Sequence, residues 1–230
     1  MNRVPYRFAL WHLVDLARAR GLAMAIMGGL FAWIAALNIP PQLPDVPASM
    51  ALTALLRQML LFFSLIATGN LIYADRHQGY FRLIFSKPVN PVGYYLQAFF
   101  LAAVVVAAGL LITWGAFALL ERPVAPRLPV WWAAAVFLYL GSVTYLFSFF
   151  TRLDWLAGWM LFGLSAPLRM VYARDESVAG AVLHYLLPPT HLLDAATRST
   201  GDWIWLFGYP TLAFVGSLLL VRLRPLGGAA

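Results

Sequence analysis

The chain has 230 residues, 62% of them hydrophobic and only 11% charged, with a mean hydropathy of +0.77. A soluble domain carries about 25% charge, so this composition excludes a separate soluble catalytic domain and implies an all-α polytopic membrane protein. The formal net charge of +7, carried by fifteen arginines and the single Lys87, is accounted for by membrane topology rather than by nucleic acid, and there is no cysteine for disulfides or thiolate metal sites.

A span needs about 20 apolar residues, which leaves room for about six. The basic N-terminus imitates a signal peptide, but its polar lead of about twenty residues is too long, and a retained first span is expected. Within 4–20, Leu10, Leu13, Val14 and Ala17 share one helical face, with His12, Asp15 and Arg18 opposite. That pattern predicts an amphipathic helix lying in the interface, with Trp11 near the headgroups. The alternative is a cytoplasmic extension of the first span. Spans are expected over 21–37, 50–73, 94–120, 131–150, 155–172 and 203–221. The first connection, 38–49, holds four prolines and no basic residue. The stretch 121–129 is a Pro-rich turn and 151–154 a tight one. Between the fifth and sixth spans, 178–187 is apolar but too short to cross, and Pro188-Pro189 breaks it. It reads as an extracellular re-entrant or interfacial helix pair hinged at those prolines.

Orientation follows from the basic residues. With the N-terminus inside, ten (Arg3, Arg7, Arg18, Arg20, Arg76, Arg82, Lys87, Arg152, Arg222 and Arg224) face the cytoplasm and six the other side. This predicts that both termini are cytoplasmic.

Few residues suggest catalysis. The one lysine lies in FSKPVN, which is not a phosphate-binding loop. His184 and His191, with Asp194 nearby, straddle the Pro-Pro break without metal-site spacing. Paired intramembrane carboxylates, expected for proton-coupled transport or lipid chemistry, are absent from the predicted spans. Arg57 and Arg169 are the charges nearest hydrocarbon. Snorkelling to the outer boundary is the expected role, and lining an outer substrate vestibule the functional alternative. Gly28, Gly29, Gly69, Gly109, Gly158 and Gly163 suit close helix packing. Thr53, Ser64, Thr68, Asn70 and Ser165 give a sparse polar decoration suited to an amphiphilic substrate.

The most distinctive stretch is YADRHQGYFRLIFSKPVNPVGYY, residues 73–95, where Asp75, Arg76, His77, Gln78, Arg82 and Lys87 fall within thirteen residues between two apolar runs. A short basic segment there belongs on the cytoplasmic surface, open to a soluble partner. The order of elements, with ADRHQGYFRLIFSKPVNPVGYYLQ and the later YLLPPTHLLDA, resembles the permease subunits of ABC-2-type ABC transporters. One departure is His77, where a second acidic residue is common in that family.

The resemblance implies a single permease domain over 1–230 whose segment between spans 2 and 3 is a coupling helix docked on a partner ATPase. That role would fall to Asp75, Arg76, Gln78, Gly79, Arg82 and Lys87. It implies no cofactor in this chain, with ATP and Mg on the partner ABC-type ATPase subunits. A second permease subunit, identical or not, would complete the substrate path by a two-fold dimer, with spans 1, 2 and 5 at the interface. Accessory or periplasmic proteins are further candidate partners. The expected direction is export across a prokaryotic inner membrane. Two alternatives stand beside this: a non-transporting membrane anchor for a soluble complex, and an integral membrane enzyme acting on lipid.

Overall fold

The computed structural model describes residues 6–38, 48–77, 90–121, 128–172, 180, 182–183, 186–193 and 197–223, and no strand occurs among them. The helices are α1 (Tyr6–Asn38), α2 (Ala48–Thr68), α3 (Leu71–His77), α4 (Pro91–Glu121), α5 (Val130–Phe147), α6 (Asp154–Tyr172) and α7 (Thr200–Leu223), with a 3-10 turn at Thr190–Leu193. Among the described residues, four stretches are long and apolar enough to cross a membrane: Leu52–Asp75, Pro91–Gly115, Val130–Phe147 and Thr200–Leu223. The other two expected spans, 21–37 and 155–172, fall on α1 and α6. Local sequence explains several helix starts. Asn90 accepts the Val92 N–H through Oδ1 at 3.0 Å and Pro91 takes the first helical position of α4, where its missing N–H costs nothing. Ser199 and Asp202 form a reciprocal cap on α7, at 2.8 and 3.2 Å.

The expected interfacial helix over 4–20 is not a separate element. α1 runs unbroken for 33 residues, about 50 Å at 1.5 Å per residue, well beyond the bilayer's hydrocarbon thickness. No proline interrupts it, and Gly21 alone costs only about 1 kcal/mol of helix propensity. The face with Leu10 and Val14 is exposed, whereas Leu16, Met24 and Gly28, with half-buried Arg20 between them, line the packed face. The expected second span is also divided: α2 ends at Thr68, Asn70 has φ 57°, and α3 begins at Leu71.

The chain forms two compact units, Met1–Thr68 with Lys87–Phe137, and Gly69–Ser86 with Leu138–Ala230. In the first, α1, α2 and α4 pack on one another. The core stripe of α2 is Leu52, Leu55, Leu56, Met59, Leu60 and Phe63, the helical period of one buried face. Phe63 fills the space left by two glycines: a Cβ on Gly28 would lie 3.5 Å from its ring, and one on Gly109 only 2.9 Å. Gly29 and Gly163, by contrast, face open space. A Gly109→Ala variant is therefore expected to be about 1–3 kcal/mol less stable than Gly29→Ala, since both gain the same helix propensity and only one meets a ring. Thermal unfolding of the two variants in detergent micelles checks this. Arg20 closes the C-terminus of α2, donating from Nη1 to the Ile66 and Ala67 carbonyls at 2.8 and 2.5 Å. These carbonyls have no partner further along the helix, and a cation there also favours the helix dipole.

In the second unit the 3-10 turn packs on α6 and α7. Phe149 is buried at the end of α5, and Tyr145 packs on Phe214 of α7 at 6.0 Å between ring centroids. Helices α4 and α7 bury only 22% of their spanning windows, against 61% for Leu52–Asp75 and Val130–Phe147. Their apolar side chains, such as Ile112 and Leu212, are outward, an arrangement that carries no penalty where the surrounding solvent is lipid.

Candidate functional site

The basic segment begins on α3, a helix of 7 residues that contains Asp75, Arg76 and His77. Gln78, Gly79, Arg82 and Lys87 lie outside the described residues. What the structure adds is how α3 starts. Thr68-Gly69-Asn70 interrupts the helix, and Asn70 occupies the left-handed region at φ 57°, which asparagine tolerates better than most residues. The Asn70 carbonyl accepts from Ala74 N–H at 3.1 Å, so Asn70 is the N-cap residue of α3.

An N-cap asparagine normally uses its own side-chain oxygen to accept the N–H of the second or third helical residue. Here Asn70 Oδ1 is buried without a hydrogen-bond partner. Ser148, at the C-terminal end of α5, supplies the cap instead. Its Oγ accepts the N–H groups of Ile72 and Tyr73 at 3.0 and 3.2 Å. Asp154, the first residue of α6, accepts the Asn70 N–H through Oδ2 and the Trp155 N–H through Oδ1 at 2.7 Å. Ser148 and Asp154 are both fully buried, at 0% exposure. One carboxylate thus serves the N-termini of two helices, α3 and α6, where a negative charge is favoured.

The second polar cluster surrounds the Pro188-Pro189 break, and both prolines are buried. Arg169 of α6 donates from Nη2 to the Leu187 carbonyl at 2.6 Å and from Nε to the Pro188 carbonyl at 3.4 Å. Ser165 and Thr190 hydroxyls lie 2.6 Å apart. Tyr209 donates to the Leu186 carbonyl at 2.8 Å and stacks on Tyr139 at 5.8 Å. Arg198 donates to the Leu192 and Leu193 carbonyls at 2.6 and 2.7 Å and lies over the Trp203 ring. Two arginines therefore serve backbone carbonyls at helix ends left where Pro188-Pro189 breaks the helical ladder.

The two charges predicted nearest to hydrocarbon, Arg57 and Arg169, are each engaged within their own unit. Arg57 stands over the Trp132 ring, 4.7 Å from its centroid, a cation–π contact that lets a cation sit among apolar helices. Ser64 and Thr68 are buried and donate to carbonyls of their own helix at 2.7 Å. His191 is exposed on the 3-10 turn, while His184 and Asp194 lie outside the described residues. Sequence reasoning missed Ser148, Asp154 and Arg20 as structural partners of the α2–α3 junction. Gly69-Asn70 is a turn signal that could have marked the break, but nothing local identifies the distant residues that cap it.

Comparison with protein-family models, curated proteins and solved structures returns no match for this chain.

Proposed function

We propose that this chain is the permease subunit of an ABC-2-type transporter, with six spans formed by α1, the α2–α3 pair, α4, α5, α6 and α7. The basic segment from Asp75 to Lys87 is its coupling helix, both termini are cytoplasmic, and transport is export across a prokaryotic inner membrane. Two copies, or this chain and a related one, form the substrate path, and separate ABC-type ATPase subunits supply ATP and Mg.

The observation that carries this reading is a basic segment between two apolar runs whose first helix, α3, is anchored at its start by buried Ser148 and Asp154. A segment that must take a push from a soluble partner needs a fixed base and a solvated tip. ATP-driven closure of the ATPase pair would act on it as a rigid-body switch. Arg169 and Arg198 holding the Pro188-Pro189 region suit a re-entrant pair, because backbone carbonyls at membrane depth must be satisfied within the protein.

The test is a nanodisc pull-down through a tag on this chain, with co-purifying proteins identified by mass. A nucleotide-binding ATPase in equal amount is expected, and Arg76→Glu with Arg82→Glu should lower its recovery at least about tenfold, the effect of losing roughly 1.4 kcal/mol of binding. Recovery of the chain alone, or with a protein lacking an ATP site, would instead favour a membrane anchor.

A further inference from the structure

We infer that Ser148 and Asp154 are positioning residues that make the base of the basic segment part of the α5–α6 turn, so that force on the segment reaches that turn rather than the helix from which the segment continues in sequence. This rests on the coupling role proposed above. Hydropathy alone joins α3 to α2, since Leu52–Asp75 reads as one apolar stretch. The hydrogen bonds divide it. α2 is closed at its own end, where Arg20 takes the Ile66 and Ala67 carbonyls. α3 receives its cap from residues about eighty positions away: Ser148 takes two of its first N–H groups and Asp154 takes that of Asn70.

Asn70 makes the division specific. It is the residue type that caps helices best, it sits at the N-cap position, and its Oδ1 is nevertheless buried and unpartnered. Its left-handed backbone aligns the N–H toward Asp154 and leaves the capping to Ser148. The compact unit that contains Leu138–Ala230 accordingly includes Gly69–Ser86, whereas α2 belongs to the other. A pull or push on Arg76 is carried through backbone N–H groups of α3 to the buried side-chain oxygens of Ser148 and Asp154, at the ends of α5 and α6.

The experiment is hydrogen–deuterium exchange of the full chain in nanodiscs, read on peptides covering 52–68, 69–77 and 147–157. Ser148→Ala removes one oxygen and should raise exchange of 69–77 about tenfold, as expected for the loss of a buried hydrogen-bond acceptor, with 52–68 unchanged. Unchanged exchange of 69–77, or an equal rise in 52–68, overturns the clamp. Should Ser148→Ala destabilise the whole chain, Ser148→Cys, whose sulfur is only a weak acceptor, takes its place with the same criterion. In a preparation that retains the ATPase, Ser148→Ala should keep the ATPase bound but lower the permease-stimulated ATP turnover several-fold. Unchanged turnover despite faster exchange overturns the positioning role. Absence of any ATPase counts against the transporter reading, whereas the exchange result decides the clamp on its own.

Discussion

Asp154→Ala is expected to lower the unfolding free energy by about 2–4 kcal/mol. The carboxylate is fully buried and accepts from the N–H groups of Asn70 and Trp155. Alanine leaves both donors without it in a place water does not reach, and each buried unsatisfied donor costs about 1–3 kcal/mol. It also removes a negative charge from two helix N-termini, where such a charge contributes up to about 2 kcal/mol when partly buried. These contributions share one side chain and do not simply add. Asp154→Asn keeps one acceptor oxygen but loses the charge and sets an amide NH2 against the other N–H, so it should fall between alanine and the parent. Denaturant unfolding in mixed micelles measures the series. An alanine variant as stable as the parent would show that the Asn70 and Trp155 donors have an adequate alternative.

Arg169→Ala is expected to cost about 2–3 kcal/mol and to act locally. Its guanidinium donates to the Leu187 and Pro188 carbonyls, and a hydrogen bond from a charged group is worth about 1.5–3 kcal/mol. Pro188-Pro189 breaks the helical ladder here, and since Thr190 N–H also donates to the Pro188 carbonyl at 2.8 Å, the loss falls chiefly on the Leu187 carbonyl. Ser165–Thr190 and Tyr209–Leu186 remain to hold the turn, which keeps the loss short of global unfolding. The signature is faster exchange and earlier proteolytic cleavage within 186–193, with α4 unaffected. Arg169→Lys should rescue only part of this protection, because a single ammonium lacks the planar fork that reaches two carbonyls. The same variant separates two roles. If Arg169 also lines a substrate vestibule, Arg169→Lys loses transport beyond what its loss of protection at 186–193 accounts for. If anchoring is its role, transport and protection fall together.

Much of the architecture is legible residue by residue. Asn90-Pro91 marks the start of α4 through a capping oxygen and a proline that needs no N–H, and Ser199 with Asp202 marks α7 in the same local way. The Pro188-Pro189 break was visible for the reason that prolines cannot donate. The N-terminal region was misjudged because the amphipathic pattern of Leu10, Leu13, Val14 and Ala17 fits both an interfacial helix and an extension of a span. Arg20 decides the matter differently from the periodicity: it lies on the packed face of α1 since it must reach the last carbonyls of α2.

Composition and pattern by themselves determined that this chain is helical and has membrane-helix character, where apolar runs fall, and which short segment carries concentrated positive charge. These are properties of side-chain hydropathy and of neighbours three or four positions apart, so they are written locally. Only the tertiary structure decided that the run from Leu52 to Asp75 is two helices, that Asn70 forgoes its own capping oxygen, and that Ser148 and Asp154 hold the base of the basic segment. The physical reason is that a hydroxyl or a carboxylate satisfies whichever backbone N–H folding brings beside it. Serine at 148 and aspartate at 154 read in sequence as an ordinary helix end and helix start, and their second partners lie about eighty residues away.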